Sequence, residues 1–248
     1  MSFLTIEDVT YSYRGKNPVL HNVNWGMNKG EFHCLIGKSG CGKTTLLKLA
    51  AGLLQTDKGR IHLEGSEVVK PSPDCGFVFQ SPTLLEWKTV MDNVLLPISL
   101  KRKLTEEDRT QALELLELVG LASFSDRYPL QLSGGQQSRA AIVRALVQRP
   151  SLLFMDEPFA ALDAITRDEL QDDLLRMCRR YNMTVLFITH DISEAVYLAD
   201  AVGVMAEGEM VYQSKVELER PRRMEMRYDS YFNELCYRLR QVMGGNQS

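Results

Sequence analysis

The chain has 248 residues, and its 44% hydrophobic and 25% charged residues are typical of a globular protein and exclude a disordered or collagen-like chain. With 29 basic and 32 acidic residues, it lacks the positive charge of a nucleic-acid-binding protein. No apolar stretch approaches the roughly 18 residues of a membrane span, and no signal peptide is recognisable, so a cytosolic chain is expected. Five scattered cysteines, none in a Cys-x-x-Cys pair, predict neither a disulfide framework nor a zinc site.

The N-terminal segment predicts two strands joined by a turn. Apolar residues alternate over residues 3–6 and continue over residues 9–13. Glycine and proline predict a turn over residues 14–18, and the second strand runs from residue 19 towards residue 27.

Strands and helices then alternate along the chain. An apolar run over residues 32–36 ends in glycine and precedes a segment of helical composition over residues 45–50. Residues 89–148 have mainly helical patterns, and strands return at residues 151–155 and 184–189. Strands that alternate with helices predict an α/β fold with a mainly parallel sheet.

Several helices carry recognisable signals. Thr105 to Asp108 resembles a capping box, and it precedes apolar residues at helical spacing. Before it, helical spacing is shared by Val90, Val94 and Leu95. Between the two returning strands, a helix is predicted to carry on one face Leu170, Leu174, Cys178 and Tyr181.

The tail, residues 213–248, predicts a terminal amphipathic helix. Arginines surround Pro221, and apolar residues follow at helical spacing: Tyr228, Tyr231, Phe232, Leu235, Leu239 and Val242. Packing of this face on the chain's own domain is favoured over a membrane-surface or regulatory role.

Residues 37–44 match the phosphate-binding pattern G-x-x-x-x-G-K-[ST] and lie between a predicted strand and a predicted helix. Glycines allow the backbone N–H groups to point at phosphate oxygens, and the helix start adds partial positive charge. Lys43 is predicted to reach the β- and γ-phosphates, and the Thr44 hydroxyl to bind Mg²⁺.

A second metal ligand is predicted where the apolar strand at residues 151–155 ends in Asp156 and Glu157. Asp156 is expected to hold the Mg²⁺ shell, and Glu157 to orient the attacking water.

A second phosphate-binding helix start is predicted at Leu132-Ser133-Gly134-Gly135-Gln136. Ser133 and Gln136 have capping-box spacing, and the two glycines expose backbone N–H groups. Here the sequence resembles the ATP-binding cassette family, whose signature is Leu-Ser-Gly-Gly-Gln, and the order of motifs agrees over about residues 2–212.

The resemblance implies a P-loop NTPase fold over residues 2–212, with a mainly parallel sheet, an N-terminal antiparallel β subdomain and a helical subdomain inserted at about residues 84–148. It implies that Tyr13 stacks on adenine, with Tyr11 as the alternative, and that His190 contacts the γ-phosphate. The implied ATP-binding residues are Tyr13, Gly37, Lys38, Ser39, Gly40, Cys41, Gly42, Lys43, Thr44 and Thr45.

The same resemblance implies a metal set, a coupling residue and a head-to-tail homodimer. Mg²⁺ contacts are expected from Thr44, Gln80 and Asp156. Gln80 is also expected to sense the γ-phosphate and to signal to the helical insert, and Asp163 is expected to couple two nucleotide sites. Each ATP would lie between one chain's P-loop and the partner's Ser133, Gly134, Gly135 and Gln136. Ser138 and Ala160 depart from the family pattern beside these groups and could at most alter rate or coupling.

Three segments, residues 85–97, 157–163 and 189–195, resemble those of bacterial importers of nitrate, sulfonate and taurine, and some importers of pyrimidine precursors are similar. This resemblance implies the function. The expected protein is an ATPase subunit at the cytoplasmic side of the cell membrane, with transmembrane permease subunits and an extracytoplasmic solute-binding protein as partners. Trp87 is expected at the permease interface, with a core position as the alternative. The alternative functions are an ATP-binding cassette protein without a permease, and a nucleotide-binding module or P-loop kinase.

Overall fold

The computed structural model of the protein describes residues 2–14, 17–160 and 162–245. Two residues of the predicted turn, Gly15 and Lys16, lie outside this part. The strands are β1 Leu4–Ser12, β2 Pro18–Met27, β3 Phe32–Gly37, β4 Lys58–Leu63, β5 Ser66–Glu67, β6 Cys75–Val78, β7 Leu152–Asp156, β8 Thr184–Ile188, β9 Ala201–Ala206 and β10 Glu209–Lys215. The helices are α1 Lys43–Ala50, α2 Val90–Ser99, α3 Glu106–Leu118, α4 Gly134–Leu146, α5 Ala164–Arg180, α6 Ile192–Leu198 and α7 Ser230–Gly244.

The chain forms two compact units. The first contains Met1–Ser72 and Thr184–Ser248, and the second contains Pro73–Met183. The predicted helical insert, residues 84–148, belongs to the second unit, which extends beyond it at both ends.

The first unit contains an antiparallel sheet in the order β2-β1-β4-β5. Leu4 pairs with Met27 on one side and with Leu63 on the other, and alternate side chains of β1 are buried. In the same unit, β3 pairs in parallel with both β8 and β9, and β10 is antiparallel to β9. All six residues of β3 are buried, as expected of a central parallel strand. These arrangements confirm the predicted antiparallel subdomain and mixed, mainly parallel sheet.

Trp25 of β2 packs against the backbone of Gly203 on β9. A Cβ atom on Gly203 would lie 1.6 Å from Cζ3 of the Trp25 ring. The ring is buried, and its Nε1 donates to Nδ1 of His33 at 2.9 Å. Only glycine therefore leaves room for this ring.

Gly203→Ala is expected to destabilise the protein by about 1–3 kcal/mol or more, because the added methyl overlaps a buried ring that a hydrogen bond holds in place. The measurement is the midpoint of thermal unfolding. Gly244→Ala is the control, since no atom lies within 4 Å of the Cβ that it would add. Equal midpoints for the two variants would contradict this account.

The second unit combines parallel strands β6 and β7 with helices α2 to α5. Phe77 pairs with Phe154 in the strand register. Thr105 and Asp108 form the predicted capping box at the start of α3. The predicted apolar positions are buried at Val90, Val94, Leu95, Leu170, Leu174 and Cys178, whereas Tyr181 is the C-terminal cap of α5.

The C-terminal helix α7 packs on α6 in the first unit. Phe232, Leu235 and Leu239 are buried, whereas Tyr228, which precedes the helix, is 84% exposed. Over the described ranges 2–14, 17–160 and 162–245, the helices all fall short of the length and apolar character needed to cross a membrane.

Candidate nucleotide site

The loop between β3 and α1 makes close contacts that only glycine permits. Gly37 has a φ of 155°, and a Cβ there would lie 2.3 Å from the Met205 carbonyl oxygen. Gly42 has a φ of 102°, and its Cβ would lie 2.6 Å from Cδ2 of Leu20. Both positions therefore require glycine for backbone conformation and for space.

The start of α1 is suited to binding an anion. Within the described segment 17–160, Gly42 caps α1 without a side-chain hydrogen bond, and the first turn of the helix has no acidic residue. Because the first N–H groups of an α-helix have no acceptor within the helix, such a start is suited to phosphate oxygens. Lys43 is buried, and its Nζ donates to the carbonyl oxygens of Gly37 at 2.8 Å and Lys38 at 3.1 Å, which keeps the cation inside the loop.

Lys38, Ser39 and Gly40 form the exposed part of this loop, and no atom lies within 4 Å of a Cβ built on Gly40. The loop therefore has open space beside its glycine backbone. Cys41 is buried, and its Sγ would lie 2.8 Å from a Cβ on Gly37, so the cysteine side chain fills space that the glycine leaves open.

Tyr13 is attached to α1 and presents part of its ring to solvent. Its hydroxyl lies 3.2 Å from Oγ1 of the buried Thr45, and 38% of its surface is exposed. Tyr11 contacts Tyr13 edge-on, with ring centroids 5.1 Å apart. The hydrogen bond to α1 favours Tyr13 over Tyr11 as the aromatic residue beside a bound nucleotide.

Tyr13→Ala is expected to weaken ATP binding about tenfold, because stacking of a base on an aromatic ring contributes about 1–3 kcal/mol. Tyr11→Ala should weaken it by less than about threefold, since Tyr11 supports the ring from its edge. Titration of each purified variant with a fluorescent ATP analogue measures the difference. A larger loss for Tyr11→Ala would assign the stacking role to Tyr11.

His190 follows β8, and the phosphate-binding loop follows β3. Leu35 and Ile188 are paired in the parallel register, and the Thr189 N–H donates to the Leu35 carbonyl at 3.3 Å. Because the carboxyl ends of parallel neighbours meet at one sheet edge, His190 and the loop share that edge. His33 is different: its ring is bonded to Trp25 and Glu31, and burial lowers its pKa.

Gln80 and Glu157 lie together in the second unit. They follow the parallel neighbours β6 and β7, and Nε2 of Gln80 donates to Oε2 of Glu157 at 3.4 Å. Glu157 has a φ of 45°, an uncommon left-handed conformation for glutamate. Asp156, the last residue of β7, is buried. The hydrogen bond joins two residues that were each predicted to act at the γ-phosphate.

Ser133 and Gln136 form the predicted capping box at the start of α4. The Gln136 N–H donates to Ser133 Oγ at 3.2 Å, and the Ser133 N–H donates to Gln136 Oε1 at 2.9 Å. Because Ser133 Oγ is an acceptor in this box, its proton can be donated to a phosphate. Gly134 is exposed, and a Cβ on it would meet no atom within 4 Å.

One contact in this region was missed by the sequence reasoning. A Cβ on Gly135 would lie 3.0 Å from Cδ2 of Leu162, so this glycine allows Leu162 to approach the start of α4. Asp163 follows, and its side chain accepts from the Thr166 N–H at 3.0 Å as the cap of α5, a bond that lowers its pKa. Two adjacent glycines indicate an open helix start, but no sequence signal identifies Leu162 as the neighbour. Ala161 lies outside the described residues.

The departures from the family pattern at Ser138 and Ala160 differ in their exposure to solvent. Ser138 is buried, and its Oγ donates to the Gly134 carbonyl oxygen at 3.1 Å. Ala160 is exposed. Neither residue replaces a group that was predicted to contact nucleotide.

The residues predicted as Mg²⁺ ligands fit that ion chemically. Thr44, Gln80 and Asp156 offer hydroxyl, amide and carboxylate oxygens, and Mg²⁺ prefers hard oxygen ligands together with substrate phosphates. Thr44 lies half-buried in the first turn of α1. The carboxylate of Asp156 is placed by a strand whose residues are all buried.

Comparison with known proteins identifies the family. Residues 20–160 match the ABC transporter family model. The chain is 45% identical over 212 residues to the bicarbonate transport ATP-binding protein CmpD of Synechocystis, covering 84% of this chain and 75% of that protein. It is 45% identical over 217 residues to the nitrate import ATP-binding protein NrtD of Synechococcus elongatus, covering 86% and 79%. It is 44% identical over 192 residues to the aliphatic sulfonates import ATP-binding protein SsuB of Bacillus thuringiensis, covering 77% and 75%.

Solved structures agree with this result. A dimeric ATP-binding cassette with bound ADP and phosphate has a TM-score of 0.79 and 32% identity, covering 87% of this chain and all of that one. The cbiO1 protein of Clostridium perfringens, part of an ABC transporter complex, has a TM-score of 0.80 and 26% identity, covering 100% and 99%. The chain belongs to the ABC transporter family, as an ATPase that binds ATP and hydrolyses it to drive transport.

Proposed function

We propose that this protein is the ATP-hydrolysing subunit of an importer for a small solute of the nitrate, bicarbonate or sulfonate kind. Relatives that are 44–45% identical to the chain over 192–217 aligned residues carry the names of such importers. Nitrate and sulfonate were expected from the sequence resemblance, whereas bicarbonate was not. Solute-binding and permease proteins select the cargo in this proposal.

The observation that carries the proposed mechanism is the presence of two anion-binding helix starts on one chain. Gly42 leads into α1 and Ser133 into α4, and neither helix has an acidic residue in its first turn within the described ranges. One start binds the nucleotide of its own chain, and the other binds the nucleotide of a second copy. ATP thus joins two chains in a head-to-tail homodimer, as its phosphates are shared between them.

Each of the two units carries residues with a proposed role in the chemistry of ATP. Lys43 binds the β- and γ-phosphates through its ammonium, and His190 binds the γ-phosphate. Glu157 accepts a hydrogen bond from the attacking water, and the Gln80 amide orients this carboxylate through its bond to Oε2. Thr44, Gln80 and Asp156 contribute oxygens toward Mg²⁺, which supplies positive charge that stabilises the phosphate oxygens.

Trp87 is the proposed contact with a permease. It lies between Gln80 and α2, and 73% of its surface is exposed, so the alternative of a core tryptophan is wrong. A large exposed aromatic side chain is typical of the centre of a protein interface. In this proposal the subunit is peripheral, bound to the cytoplasmic face of the cell membrane, and an extracytoplasmic binding protein delivers the solute.

Co-purification tests the proposal. The tagged chain, isolated in detergent from membranes of its native host, is expected to carry a multi-span membrane protein. Trp87→Ala should reduce that recovery at least fivefold, whereas Tyr228→Ala, which removes a ring that is 84% exposed elsewhere, should not. Recovery from the soluble fraction alone would favour an ATP-binding cassette protein without a permease.

A further inference from the structure

Arg144 of α4 is bound to the loop that follows Gln80. Its Nη1 donates to the Thr83 carbonyl at 2.8 Å, and its Nη2 donates to the Pro82 carbonyl at 2.9 Å and to Thr83 Oγ1 at 3.0 Å. Its guanidinium is half-buried, and in the described part of the chain no carboxylate forms an ion pair with it. The hydrogen bonds of this cation therefore go to one loop.

The loop adopts a conformation that needs such support. Thr83 has a φ of 47°, and a β-branched residue rarely occupies the left-handed region. Beyond Thr83, the buried side chain of Asn93 accepts from the Leu85 N–H at 2.7 Å and donates to the Leu85, Lys88 and Thr89 carbonyls. Arg144 thus holds the part of the loop nearest Gln80, and Asn93 holds the part nearest α2.

Arg144 also shares a helix with the second phosphate-binding site. Ser133 caps the start of α4, and Arg144 lies eleven residues further on, about 16 Å along the helix axis. An α-helix of this length transmits a displacement of one end to the other as a rigid rod. A shift of the loop after Gln80 is thereby passed through the guanidinium to the start of α4.

We propose that Arg144 is a positioning residue that makes the loop at residues 81–84 and helix α4 move as one body. The inference rests on the proposed roles of Gln80 and of Ser133 to Gln136. The family resemblance implies that Gln80 signals to the helical insert, and Arg144 supplies the hydrogen bonds that link the loop after Gln80 to α4.

The test compares Arg144→Met with Arg139→Met in the purified full-length chain. Arg139 is a matched control, because it lies on the same helix and its Nη1 donates to a backbone carbonyl at 3.0 Å, but that of Val119 in a different loop. Arg144→Met is expected to lower kcat for ATP at least tenfold and change the ATP dissociation constant less than twofold. Arg139→Met should keep at least half of kcat. Equal losses in the two variants would overturn the proposal.

Thr83→Gly tests the loop-holding part of the proposal separately. Glycine adopts a positive φ readily, so the loop conformation should depend less on Arg144 in this background. Thr83→Gly alone should keep most of kcat, and Thr83→Gly combined with Arg144→Met should recover at least threefold over Arg144→Met. Absence of recovery would overturn the loop-holding role.

Two outcomes distinguish the catalytic role of Glu157 from the positioning role of Arg144. If Glu157→Gln retained turnover, the proposed catalytic assignment would be wrong whatever Arg144 does. If Glu157→Gln lost turnover while Arg144→Met behaved as the wild type, only the coupling role of Arg144 would be wrong.

Discussion

Glu157→Gln is expected to lower ATP turnover at least a hundredfold while leaving ATP affinity within about twofold of the wild type. The substitution keeps the shape of the side chain, and glutamine can still accept a hydrogen bond from the Gln80 amide 3.4 Å away. It removes the negative charge that draws a proton from the attacking water, and a general base contributes roughly 10²–10⁴-fold to a rate. Phosphate release and nucleotide binding assays measure the two effects.

A trapped dimer is the second expected property of this variant. Both helix starts, at Gly42 and at Ser133, are unchanged, so two copies can still close on ATP but cannot hydrolyse it. Light scattering with ATP should therefore report a stable dimer. Glu117→Gln, a change of an exposed glutamate on α3, is the control and should turn over as the wild type. Turnover above a tenth of the wild-type rate in Glu157→Gln would exclude Glu157 as the base.

The short motifs of this chain could be predicted because each depends on interactions between residues that are close in sequence. The capping boxes at Thr105 and Ser133 depend on residues three positions apart, and the loop around Gly37 depends on one strand end and one helix start. Such patterns are visible in a few consecutive residues. The same applies to the α/β class, which follows from the alternation of strands and helices.

Contacts between distant segments could not be predicted in the same way. Arg144 binds Thr83 across 61 positions, and nothing in either local sequence identifies the other. The sequence around Gly203 gives no sign that the position must be glycine, because the requirement comes from the ring of Trp25, which packs against its backbone. Trp87 illustrates the limit for surfaces, because a tryptophan in a mixed segment fits a core and an interface equally well, and only its 73% exposure separates them.

Ser133→Arg is expected to abolish ATP-driven dimerisation and leave binding of ATP to the phosphate-binding loop unchanged. Loss of the capping box costs about 1 kcal/mol, and a positive side chain at the positive end of the helix dipole is unfavourable. The larger effect is steric, because the side chain would cover the exposed Gly134, which has open space beside it. The phosphates of the nucleotide bound to the partner chain could then not reach the start of α4.

Ser133→Thr is the matched control for this prediction, since threonine keeps the hydroxyl and is itself a good helix cap. Both variants should be made together with Glu157→Gln, so that hydrolysis does not dissolve the dimer before light scattering detects it. Ser133→Thr should form a dimer with ATP, and Ser133→Arg should remain monomeric at ATP concentrations that saturate binding. A dimer of Ser133→Arg under these conditions would mean that the start of α4 does not meet the partner's nucleotide, because no phosphate could reach the N–H group of Gly134 past the arginine.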